Sequence, residues 1–349
     1  MDLNSILLLR GNEVRDLLHG RERQVMDAVA GAYRAHGVGD SALPHSTFLR
    51  FPHDERSRII ALPAFVGGGL HVAGMKWIAS FPGNLDAGVE RASATIILNS
   101  ADTGRPRALL EASLISARRT AASAALAAAH MHAGLDATCV GIVGCGPISL
   151  EMTRFLHAVF PQMRELVLHD LSAARAEHFA EVLRREVGEF EVTYASSTDE
   201  VLARAPLVAF GTTAGKPHVA ALPAGGPRPQ TILNVSLRDL APEIVLGADN
   251  VVDDADHVCR AATSLHLAEE MSGGRGFIRC TLADILDGRA PARRSDDGVA
   301  IFSPFGLGVL DMAVAQLVYD LAVDAGEGTV LEGFLPDPWD AERPAVAAV

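Results

Sequence analysis

The pattern of hydrophobic and polar positions in the first hundred residues predicts a helix followed by a small sheet. Apolar side chains recur at helical spacing through residues 11–36, which predicts one amphipathic helix there. Three extended segments follow, namely SRIIALPAF, LHVAGMKWIAS and SATIILNSADTG. Because short strands and glycine turns alternate in this region, the pattern favours a sheet whose connections are local.

From Glu111 the character of the chain changes, and a regular alternation of strands and helices then begins. The alanine-rich segment RTAASAALAAAHMHA predicts a helix, and ATCVGIVG is the first of several buried strands that each precede a helix. Such alternation is typical of an α/β fold with a parallel, doubly wound sheet. The segment DMAVAQLVYDLAVDAG predicts a last helix, placed to return to the first part of the chain. A length of 349 residues and this change of pattern predict two domains.

Charge and composition narrow the classes of partner. The formal net charge of −13 repels phosphate backbones, so we expect no nucleic acid partner. No apolar run reaches membrane-spanning length, and the N-terminus lacks the basic start of a signal peptide, so we expect no membrane association. None of the four cysteines forms a CxxC pair, which indicates reduced thiols in a cytoplasmic protein.

The segment VGIVGCGPIS predicts a dinucleotide-binding turn. It matches G-x-G-x-x-G through Gly144 and Gly146, with Ser149 in place of the third glycine. The helix that follows offers unpaired N–H groups to phosphates. Asp170 ends the next strand, where a carboxylate accepts hydrogen bonds from a ribose and repels a 2′-phosphate, so we predict NAD rather than NADP. A plain strand-to-helix turn is the alternative, and Thr212 is either a ligand contact at the same edge or a simple strand end.

Six motifs in this order resemble the ornithine cyclodeaminase/mu-crystallin family over nearly the whole chain. They are GMKWI around Lys76, SARRTAAS around Arg119, IVGCGPIS, LHDLS at Asp170, NVSLRD ending at Asp239, and FSPFGLGVLD. The resemblance implies an NAD-binding Rossmann domain over residues 119–311. It also implies a discontinuous α+β domain, residues 1–118 with 312–349, that binds substrate and forms a homodimer.

The resemblance also implies roles for individual residues. Lys76 and Arg119 are expected to face the substrate and the nicotinamide, and Asp239 is expected to be the catalytic acid or base. Further cofactor contacts are implied at Ser93, Pro147, Ile148 and Thr212.

Two segments depart from the cyclodeaminase pattern. Where those enzymes carry an arginine for the substrate carboxylate, this sequence has His45, with Arg50 further on, and where they carry a glutamate it has apolar residues around Ile60. PHSTFLRF and FSPFGLGVLD are most similar to family members that use NAD to cleave N-(2-amino-2-carboxyethyl)-L-glutamate. The resemblance therefore implies release of L-2,3-diaminopropionate and 2-oxoglutarate from a small anionic amino acid, for siderophore or peptide natural-product biosynthesis.

The residue types fit such chemistry, and each has an ordinary alternative. Lys76 lies among apolar residues, so it either snorkels outward or is buried to bind a carboxylate or assist proton transfer. Arg119 can hold a carboxylate with two hydrogen bonds, or it is a surface arginine beside Arg118. Asp239 follows a strand at the ligand-binding edge and can act as a general base, or it caps the PEIVL helix.

Four further residues complete the predicted substrate and cofactor site. His45 is predicted either to bind a carboxylate or to be a turn histidine without a role in binding. The same alternatives, carboxylate binding or no role in binding, apply to Arg50. Phe305 and Gly306 are predicted to line the nicotinamide pocket, because a glycine permits close backbone approach.

Other chemistry is not favoured by the sequence. HExxH is absent, and DDADH at residues 253–257 is interpreted as a solvated loop, so no metal site is predicted. The remaining alternatives are ornithine cyclodeaminase, alanine dehydrogenase or ketimine reductase activity, and a crystallin-like protein that only binds the cofactor.

Overall fold

The structure is a computed structural model that describes residues 4–336 of the chain. The end of the segment predicted for the first domain, residues 337–349, therefore lies outside the described residues. Within residues 4–336, no helix is both long and apolar enough to cross a membrane.

Strands and helices alternate along most of the described chain. In chain order the strands are β1 (Ile6–Leu9), β2 (Ser41–Ala42), β3 (Thr47–Phe51), β4 (Asp54–Val66), β5 (Val72–Ser80), β6 (Ala92–Ser100), β7 (Pro106–Glu111), β8 (Cys139–Val143), β9 (Glu165–His169), β10 (Glu191–Tyr194), β11 (Leu207–Phe210), β12 (Gln230–Asn234), β13 (Asp249–Val252), β14 (Ile278–Thr281), β15 (Val299–Ser303) and β16 (Thr329–Leu331). The α-helices are α1 (Gly11–Leu18), α2 (Glu22–Gly37), α3 (Ser113–Met131), α4 (Pro147–Val159), α5 (Ala173–Glu186), α6 (Thr198–Arg204), α7 (Pro242–Leu246), α8 (Ala255–Val258), α9 (Ser264–Ser272), α10 (Leu282–Leu286) and α11 (Gly308–Ala325).

The first sheet joins the two ends of the described chain. Its strand order is β16-β1-β7-β6-β5-β4-β2, and β3 pairs with β4. All pairs are antiparallel except β1 with β7. Buried side chains such as Ile96 and Leu98 alternate with exposed ones, because helices α2, α3 and α11 pack against one face. The opposite face carries apolar side chains that remain accessible, including Trp77, which is 41% exposed.

The second sheet confirms the predicted parallel, doubly wound fold. Its order is β10-β9-β8-β11-β12-β15-β13-β14, and every neighbouring pair is parallel. Strands β11, β12 and β13 are buried along their whole length, as expected for a sheet with helices on both faces. The carboxyl ends of β8, β11, β12 and β15 therefore meet at one edge, where such sheets bind ligands.

Two sequence predictions need correction or completion. The single helix over residues 11–36 is wrong, because the chain breaks into α1 and α2 at Gly20, which has a left-handed φ of 66°. Strands β14 and β15 were not predicted, although helices α8, α9 and α10 separate them from the preceding strands in the same alternation.

Two long helices connect the sheets. The predicted domain boundaries at 118/119 and 311/312 fall inside α3 and α11, and these boundaries stay predictions. Arg118 is buried between the two parts, where it donates to the carbonyl oxygen of Leu18 and forms an ion pair with Glu151 at 3.2 Å. Helix α3 is thereby fixed both to α1 and to α4 of the second part.

Gly74 sets the distance between β5 and α11. A Cβ atom at this position would overlap the carbonyl oxygen of Ile97 and lie 2.8 Å from Met312 Sδ. We expect Gly74→Ala to lower the free energy of unfolding by about 1–3 kcal/mol, because the sheet and the helix must move apart. Urea unfolding followed by circular dichroism measures the change. Gly69→Ala is the control, since a Cβ there meets no atom within 4 Å, and equal stability of the two variants would contradict the prediction.

Candidate active site

The glycine turn after β8 brings two strand ends into contact. Gly144 has a φ of 87°, and a Cβ on it would lie 2.8 Å from the carbonyl oxygen of Gly211. Ser149 is buried beneath the turn, and its hydroxyl donates to the carbonyl oxygen of Gly144 at 2.5 Å. A serine thus takes the third glycine position without separating helix α4 from the sheet, as its small size predicts.

The outer side of the same turn is open and suited to a diphosphate. A Cβ on Gly146 would meet no atom within 4 Å, and no side chain caps the N-terminus of α4, which begins at Pro147 and Ile148. Asp170 stands beside the turn and accepts the N–H of Cys145 at 2.8 Å. Space, free N–H groups and a carboxylate at the ribose position together fit the expected NAD.

Lys76 lies in a buried cationic cluster with Arg119 and Asp311. Lys76 is 1% exposed, and its Nζ lies 2.8 Å from Asp311 Oδ2 and donates to Ser116 Oγ at 3.0 Å. The snorkelling alternative is therefore wrong. Burial lowers the pKa of Lys76 to about 8, the charge of Arg119 adds to the shift, and Asp311 opposes it.

The two terminal nitrogens of the Arg119 guanidinium are available to bind a ligand. Its Nε donates to the other oxygen of Asp311 at 2.9 Å, whereas neither terminal nitrogen has an acceptor among the described residues. These nitrogens lie against Gly306, which has a φ of 94° and no side chain to displace them. Arg119 is buried, so the surface alternative is wrong.

Asp253 positions the backbone that faces Arg119. It is buried, and its two oxygens accept the N–H of Phe305 at 2.9 Å and the N–H of Gly306 at 2.7 Å. Burial raises the pKa of Asp253 to about 6. The interpretation of DDADH as a solvated loop is therefore wrong. No group of His, Cys, Asp and Glu within residues 4–336 is arranged to hold a metal ion.

Asp239 is fully buried behind the carboxyl ends of β11 and β12. Thr212 Oγ1 donates to Oδ1 and Ser236 Oγ donates to Oδ2, both at 2.5 Å. His218 Nε2 lies 3.0 Å from Oδ1, and its side chain is 38% exposed. Ala241 occupies the N-cap position of α7, so the alternative role of Asp239 as a helix cap is wrong. Thr212 is likewise more than a strand-end residue.

Three predicted site residues lie away from these clusters. His45 is exposed, and its ring centroid lies 4.9 Å from that of His257. Arg50 is exposed on β3. Ser93 is exposed on β6 and faces away from the side of the sheet that carries Lys76. The structure does not bring these side chains together, and their roles stay predictions.

The sequence analysis did not single out Asp311, Asp253 or His218. Asp311 stands within the apolar run GLGVLDMAVA, and a lone acid in such a run indicates a buried charge in the same way as Lys76 does. Asp253 and His218 carry no comparable local signal.

Comparisons with known proteins identify the family and the fold. The family model of the ornithine cyclodeaminase/mu-crystallin family matches residues 8–326. The chain is 28% identical to the N-((2S)-2-amino-2-carboxyethyl)-L-glutamate dehydrogenase of Staphylococcus aureus, over 93% of this chain and 98% of that protein.

Two solved structures are similar over nearly the whole chain. An archaeal alanine dehydrogenase, solved as a dimer with bound NAD, has a TM-score of 0.82 at 27% identity, and the match covers 94% of this chain and 99% of that chain. The Δ1-pyrroline-2-carboxylate reductase of Thermococcus litoralis, solved with NADH and L-proline, has a TM-score of 0.83 at 25% identity, with 93% and 99% covered. The chain belongs to the ornithine cyclodeaminase/mu-crystallin family.

Proposed function

We propose that the protein oxidatively cleaves N-(2-amino-2-carboxyethyl)-L-glutamate to L-2,3-diaminopropionate and 2-oxoglutarate. The protein is an NAD-dependent oxidoreductase of the amino-acid dehydrogenase and reductase type. The observation that carries the proposal is the buried cluster of Lys76, Arg119 and Asp311 beside the carboxyl edge of the second sheet. The choice of substrate is supported by the relative from Staphylococcus aureus and by the segments PHSTFLRF and FSPFGLGVLD.

The cationic cluster is suited to one carboxylate. Two positive charges share a single negative charge, so one positive charge remains for a ligand. The free terminal nitrogens of Arg119 offer the parallel pair of donors that a carboxylate accepts best. Binding the α-carboxylate of the glutamate part here places the neighbouring carbon towards Gly306, where the backbone approaches the cluster most closely.

The cofactor and the protein divide the chemistry between them. The glycine turn and Asp170 would hold NAD, which would supply the hydride acceptor for oxidation at the glutamate α-carbon. The remaining steps are the loss of the amine proton, addition of water to the resulting carbon–nitrogen double bond, and cleavage of the carbon–nitrogen bond. Each of these steps moves a proton.

Asp239 and His218 provide a route for those protons. The carboxylate of Asp239 takes a proton from the amine or the attacking water and returns it to the leaving nitrogen. Because Asp239 is fully buried, we assign its exchange with solvent to His218, which contacts the carboxylate and is partly exposed. Thr212 and Ser236 stabilise the carboxylate as an anion between these transfers.

A homodimer completes the proposal. The face of the first sheet that no helix within residues 4–336 covers exposes Trp77 and Ile97, and an apolar surface of this kind is suited to a second copy. The related archaeal alanine dehydrogenase was solved as a dimer, which supports this arrangement. Use of the released diaminopropionate in siderophore or peptide biosynthesis stays a prediction.

The direct test of the proposed function is product analysis. We expect the enzyme with NAD⁺ and the glutamate conjugate to form NADH, diaminopropionate and 2-oxoglutarate in equal amounts, because one hydride and one bond cleavage belong to each turnover. Absorbance at the NADH maximum and mass spectrometry measure the three products. Turnover of alanine, reduction of a cyclic imine, or proline formed from ornithine, without turnover of the conjugate, would instead assign one of the other family activities.

Replacing the proposed base tests the proton route. We expect Asp239→Asn to lower kcat by about 10²–10⁴-fold, because the amide cannot accept the proton, while the Kd for NAD is unchanged. Asp199→Asn is the control, since Asp199 is exposed and its side chain forms no ion pair within the described residues. Melting temperatures exclude misfolding as the cause. Full activity of Asp239→Asn would remove this residue from the mechanism.

The pKa of Lys76 predicts how substrate binding depends on pH. The pKa is lowered to about 8, so the ammonium is charged below this pH and neutral above it. We therefore expect KM for the conjugate to rise by about tenfold per pH unit above pH 8, as the cluster loses its excess positive charge.

A lysine-to-arginine exchange provides the matched comparison. The sequence contains only two lysines, Lys76 and the exposed Lys216, so the same exchange can be made at each. Lys76→Arg keeps its charge, and its KM should stay constant through pH 8–10, whereas Lys216→Arg should behave as the unaltered enzyme. A constant KM in the unaltered enzyme would contradict the role given to Lys76.

A further inference from the structure

Three arginines meet on one face at the end of the first sheet. Strand register places Arg50 opposite Arg58, and Arg58 opposite Ser80, whose hydroxyl accepts a hydrogen bond from Arg91 Nη1 at 2.8 Å. Cross-strand partners have Cβ atoms about 5 Å apart, and like charges in that position repel each other. This end of the sheet therefore concentrates positive charge at a cost to stability.

A fourth arginine, Arg238 in the loop after β12, lies close enough to Arg58 for the charge of Arg58 to lower its pKa. Arg238 directly precedes Asp239, and the carbonyl oxygen of Ala261 accepts from its Nε at 3.2 Å and its Nη2 at 2.7 Å. We call Arg50, Arg58, Arg91 and Arg238 the arginine patch. It spans both parts of the chain and has Arg58 at its centre.

The charges within the arginine patch act on one another. Burial is the main cause that lowers the pKa of Arg58, Arg91 and Arg238. The second cause is a neighbouring arginine: Arg50 acts on Arg58, and Arg58 acts on the other two. Glu90 and Asp239 oppose the shift of Arg91 and Arg238, respectively.

Nothing in the described chain neutralises the arginine patch directly. Its members form no ion pair within 4.0 Å among residues 4–336, although the protein carries a net charge of −13. Three half-buried cations and one exposed cation that repel one another in an acidic protein are typical of an anion-binding site.

The arginine patch is placed to bind the far end of a substrate. Lys76 pairs with Leu62, and Arg58 pairs with Ser80, so both basic side chains lie on the face of the sheet against which the helices pack. Four residues along a strand separate Lys76 from Ser80, which is about 13 Å between Cα atoms. On the other side, Arg238 is adjacent to the proposed base Asp239. An extended acid held at Lys76 can therefore reach the patch.

We propose that the arginine patch is a second carboxylate subsite, which binds the substrate carboxylates that lie remote from the reacting carbon. This assignment rests on the proposed function, in which the conjugate carries three carboxylates and the Lys76 cluster binds one. Alanine and proline carry a single carboxylate, so the patch favours the conjugate over these smaller acids. Arg50 was already predicted to bind substrate, and the subsite adds Arg58, Arg91 and Arg238.

A binding experiment tests the subsite without relying on turnover. Glutarate and butyrate have similar carbon chains but carry two and one carboxylates, and calorimetry with the NAD-loaded protein measures their Kd values. We expect glutarate to bind at least about tenfold more tightly than butyrate, and Arg58→Gln to remove that difference. Arg184→Gln is the control for net charge, because Arg184 is exposed on α5 and its side chain forms no ion pair within residues 4–336.

Kinetics with the conjugate supply the second measurement. Arg58→Gln should raise KM by about tenfold to a hundredfold with kcat and the Kd for NAD nearly unchanged. Its melting temperature should stay equal or rise, because a repelling charge is removed. A fall in melting temperature with unchanged KM would make Arg58 structural, and weaker NAD binding with unchanged glutarate binding would assign the patch to the cofactor. Either outcome would overturn the subsite.

The two proposals fail in different ways. If the conjugate is not turned over but Arg58→Gln still removes the preference for glutarate, the subsite stands and the reaction is wrong. If the conjugate is cleaved with the same KM in Arg58→Gln, the reaction stands and the subsite is wrong.

Discussion

The candidate site depends on one buried carboxylate, that of Asp311. It holds Lys76 on β5 and Arg119 on α3 through separate oxygens, and it reaches them because α11 packs directly on the sheet at Gly74. Without this carboxylate, two desolvated cations would repel each other, which proteins tolerate poorly. With it, the three charges leave one positive charge in excess. The same ion pairs therefore join three elements and prepare a place for an anion.

The loop after β15 contributes backbone rather than charge to this cluster. Asp253 fixes the N–H groups of Phe305 and Gly306, and Gly306 lies against the guanidinium of Arg119 because it has no side chain. The glycine turn at Gly144 works in the same way, since it lets β8 and β11 approach. Small residues at the carboxyl edge thus determine how closely a cofactor and a substrate can approach each other.

Sequence patterns predicted what depends on neighbouring residues. The parallel sheet, the glycine turn with Ser149 and the position of Asp170 follow from local alternation and spacing, and the structure has all of them. The break between α1 and α2 was missed because apolar spacing continues across Gly20. Asp311 and Asp253 were missed for another reason. Their partners lie 192 and 52 positions away, respectively. The apolar run around Asp311 indicates a buried charge but does not identify its partners, and Asp253 has no comparable local signal.

In a chain with a net charge of −13, the identity of each basic residue in the candidate site indicates its role. The sequence has 30 basic residues, and all but Lys76 and Lys216 are arginine. Burial of a lysine rather than an arginine at one site matters chemically. A buried lysine changes its charge near neutral pH, whereas arginine stays charged. Arginine, which keeps its charge, is found at Arg119 in the cluster and at Arg238 beside Asp239. Under the proposed function, the site thus combines one titrating cation, which binds a carboxylate, with fixed cations around it.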